Sequence, residues 1–241
     1  RAGAGPPPPP HPEDGRERMS ETSETSTQDA RRTPLYRRHV EIGARMISFA
    51  GWLMPVYYVG INEEHRAVRA RCGLFDVSHM GQLEIDGEGA TAWLQTRLSN
   101  DLTRLKPNQA QYTLLTTETG GIVDDLIAYR LGADRWLLVV NAGNIAADVA
   151  HLRDGLPERL ALVDRSDALA MLALQGVTAL EVLEALWGRG NPPLEALKPF
   201  EVMDAAVAGI PCTVARTGYR GEPGVELLVA ADRAVELWDA L

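Results

Sequence analysis

Ile122-Val123-Asp124-Asp125-Leu126-Ile127-Ala128-Tyr129-Arg130-Leu131, then Gly132-Ala133-Asp134, then Trp136-Leu137-Leu138-Val139-Val140-Asn141, is the stretch on which the fold reading turns. Both flanks are rich in β-branched, aliphatic and aromatic residues, as strands are. The link between them is too short for the helical crossover that parallel strands need, so the two strands pair antiparallel. Irregular alternation of strands and helices around this hairpin favours α+β with antiparallel sheets over a doubly wound parallel sheet. Glycine-rich pieces such as Gly218-Tyr219-Arg220-Gly221 do not follow the dinucleotide-binding spacing, and no P-loop is present.

Outward from the hairpin, strands are expected at 82–86, 110–116, 160–163, 169–174, 202–207, 213–215 and 225–229. Helices are expected at 62–72, 88–98, 145–152, 179–187 and from 231 to the end. Thr33-Pro34 has the cap-then-proline form of a helix start, and Phe75-Asp76-Val77-Ser78-His79-Met80 reads as a compact loop. Residues 1–32 hold the run Pro6 to Pro10 and a Ser/Thr/Glu stretch from Ser20 to Thr27. Such a composition buries too little apolar surface to offset ordering entropy, so 1–32 reads as a disordered tail. The helix at the C-terminal end meets no capping signal, which reads as a truncation.

The 241 residues are 45% hydrophobic and 24% charged, enough for a sizeable core, and the net charge is −9. An acidic chain without a basic cluster is not expected to bind nucleic acid. No apolar run approaches the ~18 residues of a membrane-spanning helix. Neither a secretory nor a transit segment fits the N-terminal residues, so a bacterial-type cytoplasmic location is expected. Cys72 and Cys212 are far apart in the sequence and read as two buried thiols. His79 has no companion at ligand spacing and no nucleophile elbow appears, so neither a metal nor a Ser-His-Asp triad is expected.

Strand phase singles out Asp125. Side chains alternate faces, so Asp125 shares one with Val123, Ile127 and Tyr129, and Asp124 reads as a structural residue on the other. A carboxylate on an apolar, aromatic face needs hydrogen bonds, a cation or a ligand. The pattern leaves open whether Asp125 caps a turn, pairs with an arginine or serves a site. Asn141, ending a strand that presents Leu137 and Val139, could satisfy loop backbone or read a heterocycle's edge. Tyr112 could be core or a ligand platform. Glu226, between Val225 and Leu227, could lie on a solvated face or accept two parallel N–H bonds from an amidine-like ring edge.

Several segments in order resemble the T-protein (aminomethyltransferase) family of the glycine cleavage system. They are Thr33-Pro34-Leu35-Tyr36, Phe49-Ala50-Gly51-Trp52-Leu53-Met54-Pro55, Phe75-Asp76-Val77-Ser78-His79-Met80-Gly81, Asn100-Asp101-Leu102 and Gly120-Gly121-Ile122-Val123-Asp124-Asp125-Leu126. Val140-Asn141-Ala142 with Asn144, Leu174-Gln175-Gly176 and Thr217-Gly218-Tyr219-Arg220-Gly221-Glu222 follow. Arg220, Pro223 and Val177 depart from the family's usual residues.

The resemblance implies a folate-binding α+β fold. Residues 33–81 and 165–241 would form one discontinuous lobe and 82–164 a ferredoxin-like inserted lobe, with the family's C-terminal β-barrel domain absent. It implies transfer of the methylene group of an aminomethyl-lipoyl H-protein to tetrahydrofolate, with release of ammonia and no metal. It assigns the essential carboxylate to Asp125 and folate contacts to Met80, Tyr112, Ile127, Tyr129, Val139, Asn141, Tyr219 and Glu226. Two rivals keep the fold. One is a folate-dependent demethylase or dehydrogenase-associated folate domain with another donor, although no flavin-binding extension is seen. The other is a non-enzymatic folate-binding protein of iron–sulfur cluster maintenance, whose Lys-Gly-Cys-Tyr-type motif is not matched at Thr217 to Glu222.

Overall fold

The hairpin expected at 122–141 is the centre of a five-stranded antiparallel sheet in the computed structural model, which describes residues 29–219 and 221–241. In chain order the strands are β1 (Arg31–Arg32), β2 (Arg45–Phe49), β3 (Trp52–Tyr57), β4 (Gly73–Asp76), β5 (Gly81–Asp86), β6 (Gln109–Thr116), β7 (Ile122–Arg130), β8 (Arg135–Val140), β9 (Ala161–Asp164), β10 (Leu169–Gln175), β11 (Val202–Val207), β12 (Ile210–Ala215) and β13 (Gly224–Ala230). The α-helices are α1 (Tyr36–Glu41), α2 (Ile61–Ala70), α3 (Ala90–Leu94), α4 (Ile145–Arg153), α5 (Ala179–Ala185) and α6 (Ala234–Ala240).

One large sheet has the order β6-β7-β8-β5-β9 and the other β11-β12-β13-β10-β4; β1, β3 and β2 form a small third sheet. In the first, β5 leads through α3 to β6 and β7, and β8 returns between β5 and β7. This is a ferredoxin-like split βαβ arrangement with β6 added at the edge.

The period-two alternation of the strands sorts their side chains into layers. On β7 and β8, Leu126, Ala128, Trp136, Leu138 and Val140 pack under α3 and α4, with Trp93, Leu94 and Leu152. On β10 and β13, Leu172, Leu174, Val225 and Leu227 pack under α5 and α6, with Leu183 and Leu237. The remaining faces meet each other: Tyr129, Leu137 and Val139 from one sheet pack on Met171, Ala173, Leu228 and Ala215 of the other. The result is four layers, helix–sheet–sheet–helix. Backbone bonds also cross at one edge, where Ala110 N donates to Phe200 O at 2.7 Å and Val202 N to Asn108 O at 2.9 Å.

Several expectations are corrected. Of the tail expected to be disordered, residues 1–28 lie outside the described residues. Arg31–Arg32 instead pair parallel with Trp52 and Leu53, and the Arg31 guanidinium sits 4.1 Å above the Trp52 ring. Thr33 does not cap a helix: α1 starts at Tyr36, and the Thr33 hydroxyl donates to Asp76 Oδ2 at 2.7 Å. The helix expected at 88–98 closes after Leu94. There the Thr96 hydroxyl donates to Trp93 O and the Gln95 amide to Leu98 O, competing with helical bonding. The loop expected at Phe75 begins as strand β4. β2 and β3 gave no strand signal beforehand; they join through Ala50-Gly51, both at positive φ (47° and 80°), as a tight two-residue hairpin requires. Cys212 is buried, and burial raises its thiol to about 11, but Cys72 is only half-buried. No helix among the described residues is long and apolar enough to cross a membrane.

Candidate functional site

The β7–β8 ladder runs from Arg130 opposite Trp136 to Ile127 opposite Val139. Asp125 lies two positions beyond its last rung, level with Asn141, at the open end of the ladder. The carboxylate is therefore exposed at the mouth of the apolar layer, not enclosed within it as its strand phase suggested. Among the described residues no arginine pairs with it. The Asn141 side-chain amide donates to the Asp125 carbonyl at 2.9 Å and to its Oδ1 at 3.2 Å.

Asp124 faces the other way and is 3% exposed. It accepts the Asn141 backbone N–H at 3.0 Å, the Asn141 side-chain amide at 2.9 Å and the Asn144 side-chain amide at 2.6 Å. Burial raises its pKa, but the bonds from Asn141 and Asn144 outweigh it and hold the group below the usual carboxylate range. Asn141 thus clasps both adjacent aspartates. Its Nδ2 is directed at the two aspartates, which leaves the carbonyl oxygen as the end of the amide that neither carboxylate engages.

The folate-contact candidates divide into three groups. Ile127, Tyr129 and Val139 line the layer between the sheets, with Met80 packed at its edge. Tyr112 lies opposite Ile127 on β6, diagonal to Asp125 on the same face. It is 50% exposed, so the core reading of this residue fails. Partial desolvation and the neighbouring Asp125 carboxylate push its phenol up. Tyr219 is 56% exposed in the loop before β13; its neighbour Arg220 lies outside the described residues.

Glu226 occupies the third position, on the opposite sheet. It is not on a solvated face: it is 7% exposed and reaches across the layer. Oε2 accepts the Tyr129 hydroxyl at 3.1 Å and a very short bond from the Thr217 hydroxyl. Burial dominates and raises its pKa; the two hydroxyl bonds offset part of that. Tyr129 is pushed well above the ordinary tyrosine value by burial and by Glu226. Gln175, fully buried on β10, pins the adjoining loop by donating to Thr217 O and Val225 O.

Three contributors escaped the sequence reading. Thr217 stood in a quoted motif without a role. Gln175 did also. Asp148 was passed over, although Ile145, Asp148 and Leu152 have the i, i+3, i+7 spacing of one buried helix face. A cleft of about 660 Å³ opens elsewhere, lined in part by Glu84, Arg135, Arg165 and Asp204, and none of the candidate site residues reaches it. No group of three or more His, Cys, Asp or Glu among the described residues could hold a metal ion.

A family model described as the GCVT N-terminal domain matches residues 35–241. The chain is 46% identical over 211 residues to an aminomethyltransferase of Halothermothrix orenii, covering 88% of this chain and 58% of the relative. It is 47% identical over 213 residues to an aminomethyltransferase of Thermus thermophilus, covering 88% and 60%. The chain therefore spans a little over half the length of the curated relatives it matches. Among solved structures, it superimposes on the glycine cleavage system aminomethyltransferase T of Bartonella henselae with a TM-score of 0.79 and 35% identity. That match covers 87% of this chain and 56% of the other. The heterotetrameric sarcosine oxidase of Corynebacterium sp. U-96 shares the fold, at a TM-score of 0.55 and 19% identity; the match covers 87% of this chain and 94% of the other.

Proposed function

The chain belongs to the GCVT N-terminal domain family, and on that premise we propose that it serves an aminomethyltransferase of the glycine cleavage system. The reaction moves the methylene group of an aminomethyl-lipoyl H-protein to tetrahydrofolate and releases ammonia. In this reading the protein is cytoplasmic, residues 33–81 with 165–241 make one lobe, and residues 82–164 make the other.

The residues present suit a flat, hydrogen-bonding heterocycle. Ile127, Val139 and Met80 offer apolar wall, Tyr112 an exposed ring, and Glu226 and the Asn141 carbonyl offer acceptors for ring N–H groups. Tetrahydrofolate, when bound, supplies the amines that take up the methylene carbon. Asp125 contributes a carboxylate beside the carbon on which positive charge grows as ammonia departs. A preplaced carboxylate stabilises that charge most where water is scarce. Since Asp125 is exposed at the mouth of the layer, the lipoyl arm and the folate must themselves displace its water. Asn141 fixes the carboxylate so that it need not reorganise during the transfer, and Glu226 would turn the heterocycle's edge toward it. Tyr219 would close over the ring from its loop.

The observation that most supports this reading is the Asn141 amide on Asp125, which orients an exposed carboxylate that no described cation neutralises. The test is ammonia release by the full-length protein with aminomethylated H-protein and tetrahydrofolate. Asp125→Asn should lower turnover by about 10²–10³-fold with folate still bound. Unchanged turnover would remove Asp125 from the mechanism.

A further inference from the structure

Beneath Asp125 lies a buried acidic group that the proposed chemistry does not use. Asp148, in the first turn of α4, is fully buried at 0% exposure. Neither of its carboxyl oxygens finds a hydrogen-bond donor. The group facing it from β7 is another carboxylate, Asp124. On α4 itself His151 turns away to Thr116 O at 3.0 Å, and on β9, the other strand packed against α4, Asp164 is exposed and accepts from Ser166.

Two facing carboxylates in a dry site cannot both be ionised, and an acceptor-only Asp148 would leave both its oxygens orphaned. A single proton resolves both problems, because a protonated carboxyl donates. Asp124 is the member that keeps its charge, since it already accepts three N–H bonds from Asn141 and Asn144. Asp148 is the member that keeps the proton.

We propose that Asp148 and Asp124 form a buried carboxyl pair sharing one proton, and that this pair positions Asp125 through the Asn141 amide. Asp148 donates to Asp124; Asp124 holds the backbone and side chain of Asn141; Asn141 holds Asp125. Asp124 and Asp148 are thus positioning residues, which act on Asp125 through Asn141 and do not touch the reacting atoms. Burial and the Asp124 charge raise Asp148 to about 7, so the proton is lost near neutral pH and the clasp on Asn141 loosens above it.

This inference rests on the role given to Asp125, but its test needs no turnover. The chain, with ¹³C-labelled aspartate carboxyls and ¹⁵N-labelled asparagine, is titrated by NMR from about pH 5 to about pH 9, across the expected midpoint. Asp148 should titrate near neutral pH, and the Asn141 side-chain amide should shift with the same midpoint. In Asp148→Asn, whose amide still donates but cannot ionise, the Asn141 shift should stay at its acid-limit value throughout. In Asp148→Ala it should be displaced at every pH. An Asn141 amide that does not move across the range in the unaltered chain overturns the inference even if neither variant folds. A failed ammonia-release assay beside an intact titration would count against the proposed function alone.

Discussion

The Tyr129 hydroxyl on β7 lies 3.1 Å from Glu226 Oε2 on β13, so one phenol–carboxyl bond joins the two large sheets across their shared apolar layer. Thr217 binds the same carboxyl oxygen. Tyr129→Phe removes one of these donors and leaves the other, so its cost is that of a single buried bond, about 1 kcal/mol by urea denaturation. The Glu226 pKa is raised in the folded chain, so the native state holds that proton more tightly than the unfolded state does. Stability is then greatest below the unfolded value of about 4.3 and declines as pH rises through the folded pKa. Glu226→Gln should abolish that decline and weaken folate binding. A variant whose pH–stability curve overlays the parent's would contradict the assignment.

Asp124 and Asp125 are adjacent in sequence, yet their substitutions should separate cleanly. Asp125 is exposed and its carboxylate is held by the Asn141 amide at the sheet's rim, so Asp125→Ala should change stability by no more than about 0.5 kcal/mol. Asp124→Ala strands three N–H donors beside a buried Asp148 and should cost about 2–4 kcal/mol. Asp124→Asn should recover little of this, because an amide offers one acceptor oxygen where the carboxylate offers two. Chemical denaturation of the three variants at one pH gives the comparison.

The same pair marks how far the sequence could be read. Alternation alone put Asp124 and Asp125 on opposite faces, and the short link after Leu131 made the sheet antiparallel. Which face is enclosed depends on where the partner strand ends. β8 stops at Val140, and no local pattern says that this leaves Asp125 at an open rim. Glu226 was singled out, but its burial was not legible for a similar reason: it comes from packing against Tyr129 on the other sheet, 97 residues away in sequence. β2 and β4 escaped because five and four residues are too few to show a clear alternation, and β3 because Pro55 interrupts its run and argues against a strand. The helices at 62–72 and 145–152 were legible because their apolar spacing is local.

Gly176 follows Gln175 at the end of β10 with φ of +136°. A Cβ built there would lie 2.4 Å from both Arg71 O and Cys72 Cα, and these are backbone atoms that cannot rotate aside. Gly176→Ala should therefore cost about 2–4 kcal/mol, combining backbone strain with a forced shift of the segment between α2 and β4. Gln175 holds Thr217 and Val225, so the same substitution should also disturb the loop beside Glu226. Thermal denaturation tests the first effect. Fluorescence or NMR of Tyr129 tests the second, and an unchanged Tyr129 environment would show that the loop is held independently of Gly176.

Asp76 ties the N-terminal segment to the sheet and should make it acid-labile. Its carboxylate accepts the Thr33 hydroxyl at 2.7 Å, His39 Nε2 at 2.9 Å and the Ser78 backbone N–H at 2.9 Å. With Nε2 donating, His39 Nδ1 is free to accept the Tyr58 hydroxyl at 2.9 Å, so a single tautomer satisfies the whole chain of bonds. Burial raises the Asp76 pKa, but the bonds from His39, Ser78 and Thr33 outweigh it and leave the carboxyl below its ordinary value. A depressed folded pKa contributes stability above the unfolded value of about 3.9, and that contribution is lost as pH falls through the folded pKa. Asp76→Asn should therefore cost about 2–4 kcal/mol at neutral pH, and the gap to the unaltered chain should narrow steadily below about pH 4. Urea unfolding at neutral and acid pH measures it. A gap of equal size at both would mean that the network acts through packing, such as the Trp238 ring 5.0 Å from His39, and not through the charge on Asp76.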